Sequence, residues 1–250
     1  RLKGYTTDTI GVGNTLKTSA AQTGALTPTS GQWLTKKWAL PVGTNKIKFR
    51  AVSGYGNNLY LDSISKVNNS SPVPATLTLV QQGYYETTPN TLNKNDTVRF
   101  YLRNVNSPFT IADSAVTVID SVLFSGNVTF ANALTGTYYL VAKSRNTVET
   151  WSKAGGESYT RGAAFSYDFT SALLQAYGNN LKLKGSKYCI ISGDVNQDGT
   201  IDASDLSGVE NDASNSQTGY ISTDVNGDNF IDAGDVSIVE NNVGISVITP

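Results

Sequence analysis

Asp and Asn side chains recur at fixed spacing in two stretches near the C-terminal end of the chain. Residues 194–205 read Asp-Val-Asn-Gln-Asp-Gly-Thr-Ile-Asp-Ala-Ser-Asp, and residues 224–235 read Asp-Val-Asn-Gly-Asp-Asn-Phe-Ile-Asp-Ala-Gly-Asp. The match continues in four pairs, Ser207 and Ser237, Val209 and Val239, Glu210 and Glu240, and Asn211 and Asn241. Oxygen-bearing side chains at alternate positions can surround a hard cation, so this duplicated loop-plus-helix unit indicates metal binding.

The spacing is that of a twelve-residue calcium loop of the EF-hand type. Calcium takes six to eight oxygen ligands at roughly 2.3–2.6 Å, and such a loop supplies them from positions 1, 3, 5, 7, 9 and 12. Position 7 contributes its backbone carbonyl, and position 9 binds directly or through water. The predicted ligands are Asp194, Asn196, Asp198, the carbonyl of Thr200, Asp202 and Asp205 in the first loop, and Asp224, Asn226, Asp228, the carbonyl of Phe230, Asp232 and Asp235 in the second. We therefore expect two calcium ions.

Two other loop positions carry structural rather than ligand residues. Position 6 must turn sharply, which suits Gly199 in the first loop and Asn229 in the second, because Asn is the best substitute for Gly in a left-handed conformation. Position 8 is Ile201 in one loop and Ile231 in the other. We expect the two loops to pair back to back through these isoleucines.

The tandem of residues 193–242 resembles the dockerin-like EF-hand pair of bacterial secreted proteins, whose loops end in Asp rather than Glu and carry a helix only on the C-terminal side. The resemblance implies calcium binding. Cohesin-binding dockerins usually show a polar pair at loop positions 10 and 11 that recognises the partner, whereas this chain has Ala203-Ser204 and Ala233-Gly234. Docking on a scaffold protein is therefore kept as an alternative function.

Charge is distributed very unevenly along the 250 residues. Residues 1–193 contain nineteen basic and nine acidic side chains, a net charge of +10, whereas residues 194–250 contain eleven acidic and no basic ones, a net charge of −11. Two calcium ions would reduce the second value to about −7, so we expect the tail to need metal to fold. The basic side chains are scattered, with no cluster of the kind that nucleic acid requires.

The composition provides little for catalysis. The chain has no histidine, which removes the commonest general base and any His-dependent zinc or triad mechanism. The single cysteine, Cys189, lies in an apolar run and reads as a buried free thiol. Acidic residues before the loops stand mostly in turns or at strand ends, so a structural role is favoured over a glycosidase pair. We interpret the protein as a non-enzyme.

The body before the loops is rich in Thr, Val, Tyr, Ser, Asn and Gly, which predicts strands and turns. Residues 1–66 read as one β-sandwich, with strands at 33–40, 46–52 and 58–64. The stretch 32–66 resembles the closing strands of MAM-like jelly-roll modules. Such a module normally has several more strands before this point, so either the chain is a fragment of a longer precursor or the missing strands come from elsewhere.

A second β domain is predicted at residues 76–192, after a linker at 67–75. Its strand candidates are 76–81, 97–103, 115–124, 127–130, 137–143, 148–152, 164–169 and 180–191. The segment Gly136 to Lys143, together with Arg145 to Ser152 and the following loops, resembles a prealbumin-like or immunoglobulin-like C-terminal module of secreted Bacteroidetes–Chlorobi proteins. The fold class is thus mainly β, with two β-sandwiches followed by a dockerin-like pair with short helices.

The last domain, 193–250, comprises the calcium pair and an apolar tail from Gly244 to Pro250. This tail is interpreted as a strap that ties the pair to the preceding sandwich, with pairing to another subunit as the alternative.

The leading hypothesis is a calcium-stabilised structural protein of the cell surface or extracellular space, built into a fibre by strand exchange between copies. The alternative is an adhesion or carbohydrate-binding module that stacks a glycan on exposed aromatic residues, or a dockerin on a scaffold. The candidate platforms are Trp33, Trp38, Trp151 and the pair Tyr84 and Tyr85. The expected partners are other copies of the chain, a cell-surface scaffold or a glycan. No run is long enough to span a membrane, and nucleic acid is not expected.

Overall fold

The computed structural model describes residues 71–250 throughout and, before them, only the short segments 2–4, 9–10, 29–30 and 47–49. Contacts divide the chain into two compact units, Arg1–Lys66 and Val67–Pro250. The finer domain boundaries at residues 76 and 193 stay predictions.

The described part of the first unit is a small antiparallel sheet. Its strands are β1 (Leu2–Gly4), β2 (Thr9–Ile10) and β3 (Ile47–Phe49), in the order β2-β1-β3. β3 falls within the predicted strand 46–52. The other two predicted strands of this unit, 33–40 and 58–64, lie outside the described residues.

The second unit contains two main sheets. Its strands are β4 (Ala75–Thr78), β5 (Tyr85–Glu86), β6 (Thr91–Leu92), β7 (Asp96–Asn104), β8 (Ile111–Ile119), β9 (Ser125–Val128), β10 (Gly136–Lys143), β11 (Thr150–Trp151), β12 (Glu157–Tyr159), β13 (Phe165–Asp168), β14 (Lys182–Lys184) and β15 (Lys187–Cys189). One sheet has the order β11-β10-β7-β8, with β12 also paired to β10, and the other has the order β13-β4-β9. Two hairpins, β5-β6 and β14-β15, complete this set of strands. We call the two sheets and the two hairpins together the sandwich.

The core of the sandwich follows from alternation along its strands. On β7, Val98, Phe100 and Leu102 are buried, while the residues between them are exposed or half-buried. On β4, Ala75 and Leu77 are buried in the same cluster. The prediction of a mainly β fold is confirmed.

Strand β10 departs from this alternation, because five consecutive residues from Tyr138 to Ala142 are buried. The outer face of the sheet here carries Tyr139, Val141 and Trp151, which form a separate apolar cluster. Phe109, Tyr177 and Val247 pack against that cluster from other parts of the chain. Segments distant in sequence thus cover a sheet face that alternation alone would leave exposed.

Two helices follow the sandwich, α1 (Ala203–Ser214) and α2 (Ala233–Glu240). Each begins with a capping box, in which Asp202 or Asp232 accepts from the first turn and the Asp three residues later accepts from the cap backbone. The repeated sequence therefore gives two helices whose N-termini are capped in the same way. Within the described part of the chain, neither of these helices, nor any other, is long and apolar enough to cross a membrane.

The helical module has a buried cluster to which the preceding segments also contribute. Ile201, Val209, Val225, Ile231 and Val239 form one buried cluster, and two residues of the preceding segments, Val148 and Ile191, belong to the same cluster. The C-terminal segment also joins it, because Val247 packs there and donates its amide to the carbonyl of Gly199 at 2.8 Å. The loops are consequently fixed in place by the sandwich and by the end of the chain.

Candidate metal centre

The last aspartate of each loop closes it by binding three backbone amides. Asp205 accepts from Val195 and Asn196 at one oxygen, at 2.8 and 3.1 Å, and from Asp202 at the other, at 3.0 Å. Asp235 accepts from the three equivalent amides at 2.7, 2.9 and 3.0 Å. Both carboxylates are fully buried, and burial raises the pKa of Asp235 against the opposing effect of these amides.

The middle of each loop is folded by short side-chain turns. Asn196 accepts from the amide of Asp198 at 2.9 Å, and Asp198 accepts from the amide of Thr200 at 3.0 Å. Asn226 and Asp228 make the corresponding contacts at 2.9 and 2.8 Å. Positions 3 and 5 are therefore placed alike in the two loops, on the exposed or half-buried side.

Position 9 begins the helix in each loop. Asp202 accepts from both the amide and the hydroxyl of Ser204 at 2.7 Å, and these hydrogen bonds lower the pKa of its carboxyl. Asp232 accepts only from the amide of Gly234, because that residue has no hydroxyl. Both cap side chains remain exposed.

The first aspartate of the first loop has a buried oxygen without a partner. Asp194 is 1% exposed, and its Oδ2 accepts from the amide of Gly199 at 3.2 Å. Its Oδ1 is buried and meets no hydrogen-bond donor among the described residues. Burial, followed by the nearby charges of Asp205 and Asp198, raises the pKa of Asp194 to about 6. A cation here would satisfy the oxygen and relieve the repulsion.

The first aspartate of the second loop is paired with a lysine of the sandwich. Asp224 is fully buried, and its Oδ1 faces the amide of Asn229 at 3.4 Å. Its Oδ2 accepts from the ammonium of Lys94 at 3.0 Å, and the same ammonium donates to Oδ1 of Asn229 at 2.5 Å. The two loops differ at this point although their sequences match.

Position 6 has the left-handed backbone that its residues favour, with φ of 95° at Gly199 and 73° at Asn229. The residues at position 7, Thr200 and Phe230, do not form a backbone bridge with each other. Instead, Thr200 forms a bridge with Ser246, and Phe230 with Thr218. The isoleucines at position 8, Ile201 and Ile231, lie in one buried apolar cluster, as expected, whereas the backbone of each loop pairs with another segment.

The residues fit calcium better in the first loop than in the second. The first loop combines a buried, unpartnered carboxylate oxygen with the oxygen-rich donor set that calcium prefers. In the described part of the chain, no three Asp, Glu, His or Cys side chains are gathered into a ready-made metal cluster. The carboxylates of Asp202 and Asp205 are engaged with backbone amides and would have to share those oxygens with a metal. The twelve ligands stay a prediction.

Sequence reasoning missed the residues by which the sandwich holds the second loop. The side-chain amide of Asn146 donates to the backbone carbonyl of Asp224 at 2.9 Å. Arg145 donates to the carbonyl of Ile221 at 2.6 Å and to the hydroxyl of Tyr84, and its guanidinium lies 3.8 Å from the centre of the Tyr220 ring. No spacing rule relates these residues to a loop that lies some eighty positions later in the sequence.

A second group of contacts, centred on Asn242, fixes the end of α2. Asn242 is fully buried and donates to Gln82 at 2.8 Å and to the carbonyl of Ser192 at 2.7 Å. Lys182 donates to the side chain of Asn242 at 2.6 Å. This asparagine therefore links the helical module to Gln82, Lys182 and Ser192 in the preceding part of the chain.

The proposed aromatic platforms for a glycan are wrong where the structure describes them. Trp151 is 4% exposed, and Tyr84 and Tyr85 are 0% and 1% exposed. Their rings are packed in the cores, so no sugar can stack on them. Trp33 and Trp38 lie outside the described residues. The thiol of Cys189 is buried, and burial raises its pKa to about 12.

A family model for the dockerin type I domain matches residues 192–244. The paired loops are therefore similar to a dockerin domain over these residues. Similar solved structures include two chains of mutant type II cohesin–X–dockerin complexes from Acetivibrio cellulolyticus, one altered at the C-terminal and one at the N-terminal interface. Each is 15% identical to this chain and covers 69% of it and 96% of its own length, with TM-scores of 0.42 and 0.39. The curated proteins include no significant match.

Proposed function

We propose that this chain is a non-catalytic, extracellular module whose calcium-loaded dockerin domain docks on a cohesin-type receptor of a cell-surface scaffold. The match of residues 192–244 to the dockerin type I domain carries this proposal. Dockerin domains bind calcium, and bound calcium would offset part of the eleven acidic charges of residues 194–250. Docking replaces fibre assembly as the main hypothesis, because the family match concerns a docking domain.

The placement of the helices supports docking from the side away from the sandwich. Ser207 and Glu210 on α1 and their counterparts Ser237 and Glu240 on α2 are exposed. The opposite faces carry Val209 and Val239, which are buried in the shared cluster. The module thus presents two similar polar helix faces to a partner.

Binding to immobilised cohesin modules of types I and II, with calcium and again after chelation, tests this proposal. We expect binding that disappears with chelator and that the double variant Ser207→Arg/Ser237→Arg weakens by at least about tenfold. Ser166→Arg, at an exposed position of β13, is the matched control and leaves binding unchanged. Folded, calcium-loaded protein that binds no cohesin of either type would contradict docking.

The sandwich is best interpreted as a carrier for the dockerin domain. Two facing sheets with a shared core support the immunoglobulin-like or prealbumin-like likeness of residues 76–192. The jelly-roll likeness of residues 1–66 stays a prediction, as do the boundaries at 67–75 and 193–250.

Fibre assembly remains the second candidate function, and one observation favours it. Strand β8 ends the order of its sheet and carries three exposed apolar side chains, Ile111, Val116 and Val118, at 50%, 47% and 53% exposure. An apolar edge strand is a typical site for pairing with another copy. Electron microscopy with calcium should show filaments that Val116→Lys/Val118→Lys abolishes, and a monodisperse monomer at high concentration would exclude this candidate.

A further inference from the structure

Asp194 and Asp224, the first residues of the two loops, share the partner of one carboxylate oxygen and differ in the partner of the other. In each loop, one oxygen of this aspartate faces the amide of position 6, which is Gly199 or Asn229. The remaining oxygen of Asp194 is buried and unpartnered among the described residues. The corresponding oxygen of Asp224 accepts from the Lys94 ammonium at 3.0 Å. A cation of the chain itself therefore lies where the first loop has an open coordination position.

The sandwich holds this lysine in place. Lys94 lies in the short turn between β6 and β7. The preceding Asn93 donates its amide to the carbonyl of Tyr84 at 2.8 Å and its side chain to the carbonyl of Asn226 at 2.9 Å. The following Asn95 accepts from the amide of Ser121 at 2.7 Å. With both neighbours anchored, the ammonium is held against the second loop rather than moving freely in solvent.

The ammonium and a calcium ion would compete for the second loop. A divalent cation needs the first-position carboxylate, and like charges a few ångströms apart repel strongly in a partly buried site. Calcium must therefore displace Lys94 or bind beside it, and both options lower the affinity of that loop. Lys94 also loses its contact with Asn229 when it is displaced.

Among the described residues, the first loop has no such competitor. Lys143 influences Asp194 electrostatically, but no ion pair to Asp194 forms within the described part of the chain. Calcium there would gain an oxygen that is already desolvated and unpaired, so the first loop should bind it more tightly.

We propose that Lys94 is a built-in counter-ion of the second dockerin loop, and that calcium consequently fills the loops in order, the first well before the second. This inference rests on the calcium binding of the proposed function. It assigns to Lys94, a residue of the sandwich outside the dockerin domain, the control of the second site.

Calorimetric calcium titration of the full chain, with amide spectra recorded by NMR, tests the order of filling. We expect the Gly199 amide signal to shift first and the Asn229 signal only at calcium concentrations at least about tenfold higher. Lys94→Gln should narrow this gap at least about threefold by strengthening the second site, and Lys94→Arg, which keeps the charge, should preserve the gap. Lys182→Gln is the matched control, because Lys182 contacts Asn242 rather than a loop carboxylate.

The outcomes separate this inference from the function on which it rests. Two sites of equal affinity, or a gap that Lys94→Gln leaves unchanged, would overturn the role of Lys94 while calcium binding stands. A wild-type chain that binds no calcium would overturn both. Should Lys94→Gln fold poorly, simultaneous shifts of the Gly199 and Asn229 signals in the wild-type protein would still overturn the inference.

Discussion

Asp194 and Asp224 occupy the same position in two loops of nearly the same sequence, yet they lie in different surroundings. Asp194 keeps a buried oxygen without a partner among the described residues. Asp224 instead forms an ion pair with Lys94, and its backbone carbonyl accepts a hydrogen bond from the side chain of Asn146. The duplicated residues determine the fold of each loop. The contacts made by the sandwich, which is not duplicated, determine how the two loops differ.

The parts that the loops share should respond equally to mutation. Asp205→Ala and Asp235→Ala each leave three backbone amides without their buried carboxylate, so we expect each variant to lose about 3–5 kcal/mol of unfolding free energy. Urea unfolding in chelator, with a stabilising osmolyte that keeps the metal-free tail folded, measures both. Asp228→Ala, at an exposed position, is the control and should cost less than about 1 kcal/mol. Strongly unequal losses would show that the two loops are not built alike.

The contact between sandwich and second loop should be the next most sensitive feature. A Cβ at Gly83 would lie 2.0 Å from the carbonyl oxygen of Val225, a backbone atom that cannot move away locally. Gly83→Ala should therefore cost about 2–3 kcal/mol in a thermal or urea melt and expose the second loop to protease.

Gly208→Ala is the control for that variant, because its added methyl group meets only Val195 at 3.8 Å. Within helix α1, this change should stabilise the protein by about 0.5–1 kcal/mol. A Gly83→Ala protein as stable as the wild type would mean that the second loop is not fixed by the sandwich.

The sequence predicted what depends on local repetition. The Asp and Asn spacing indicated both loops, the left-handed position 6 and the helices after them, because these features depend on neighbours within twelve residues. Alternation likewise placed β7 within a residue of its ends. The predicted strand 137–143 also agrees with β10 within one residue. The predicted strand 180–191 is instead the hairpin β14-β15, since Gly185 adopts a φ of 59° between them.

The sequence could not predict contacts that join distant segments. Lys94 reads as one more scattered surface cation until the fold brings it to Asp224, 130 residues away. Trp151 reads as an exposed aromatic until Phe109 and Val247 cover it. In each case the decisive partner is set by tertiary packing, which no local pattern records.

Neutralising the first-position aspartate should have opposite effects in the two loops. In metal-free protein, Asp224→Asn removes the partner of a largely buried ammonium and should cost about 1–3 kcal/mol. Asp194→Asn removes a buried carboxylate with one oxygen that lacks a partner among the described residues, and should stabilise the metal-free chain by about 1–2 kcal/mol. Urea unfolding in chelator, with the same osmolyte, measures both signs. Destabilisation by both variants to the same extent would remove the difference between the loops.

The pH dependence of metal-free stability isolates the first loop. Burial and the charges of Asp205 and Asp198 raise the pKa of Asp194 to about 6, whereas an unfolded Asp titrates near about 4. A raised folded-state pKa contributes stability that is fully present below the unfolded value and lost as the pH rises through the folded one. Chelated wild-type protein should therefore lose about 1–2 kcal/mol more than Asp194→Asn between pH 4 and pH 7, measured by urea unfolding at each pH. Parallel curves for the two proteins would show that Asp194 is not desolvated, and hence that the first loop offers calcium no advantage over the second.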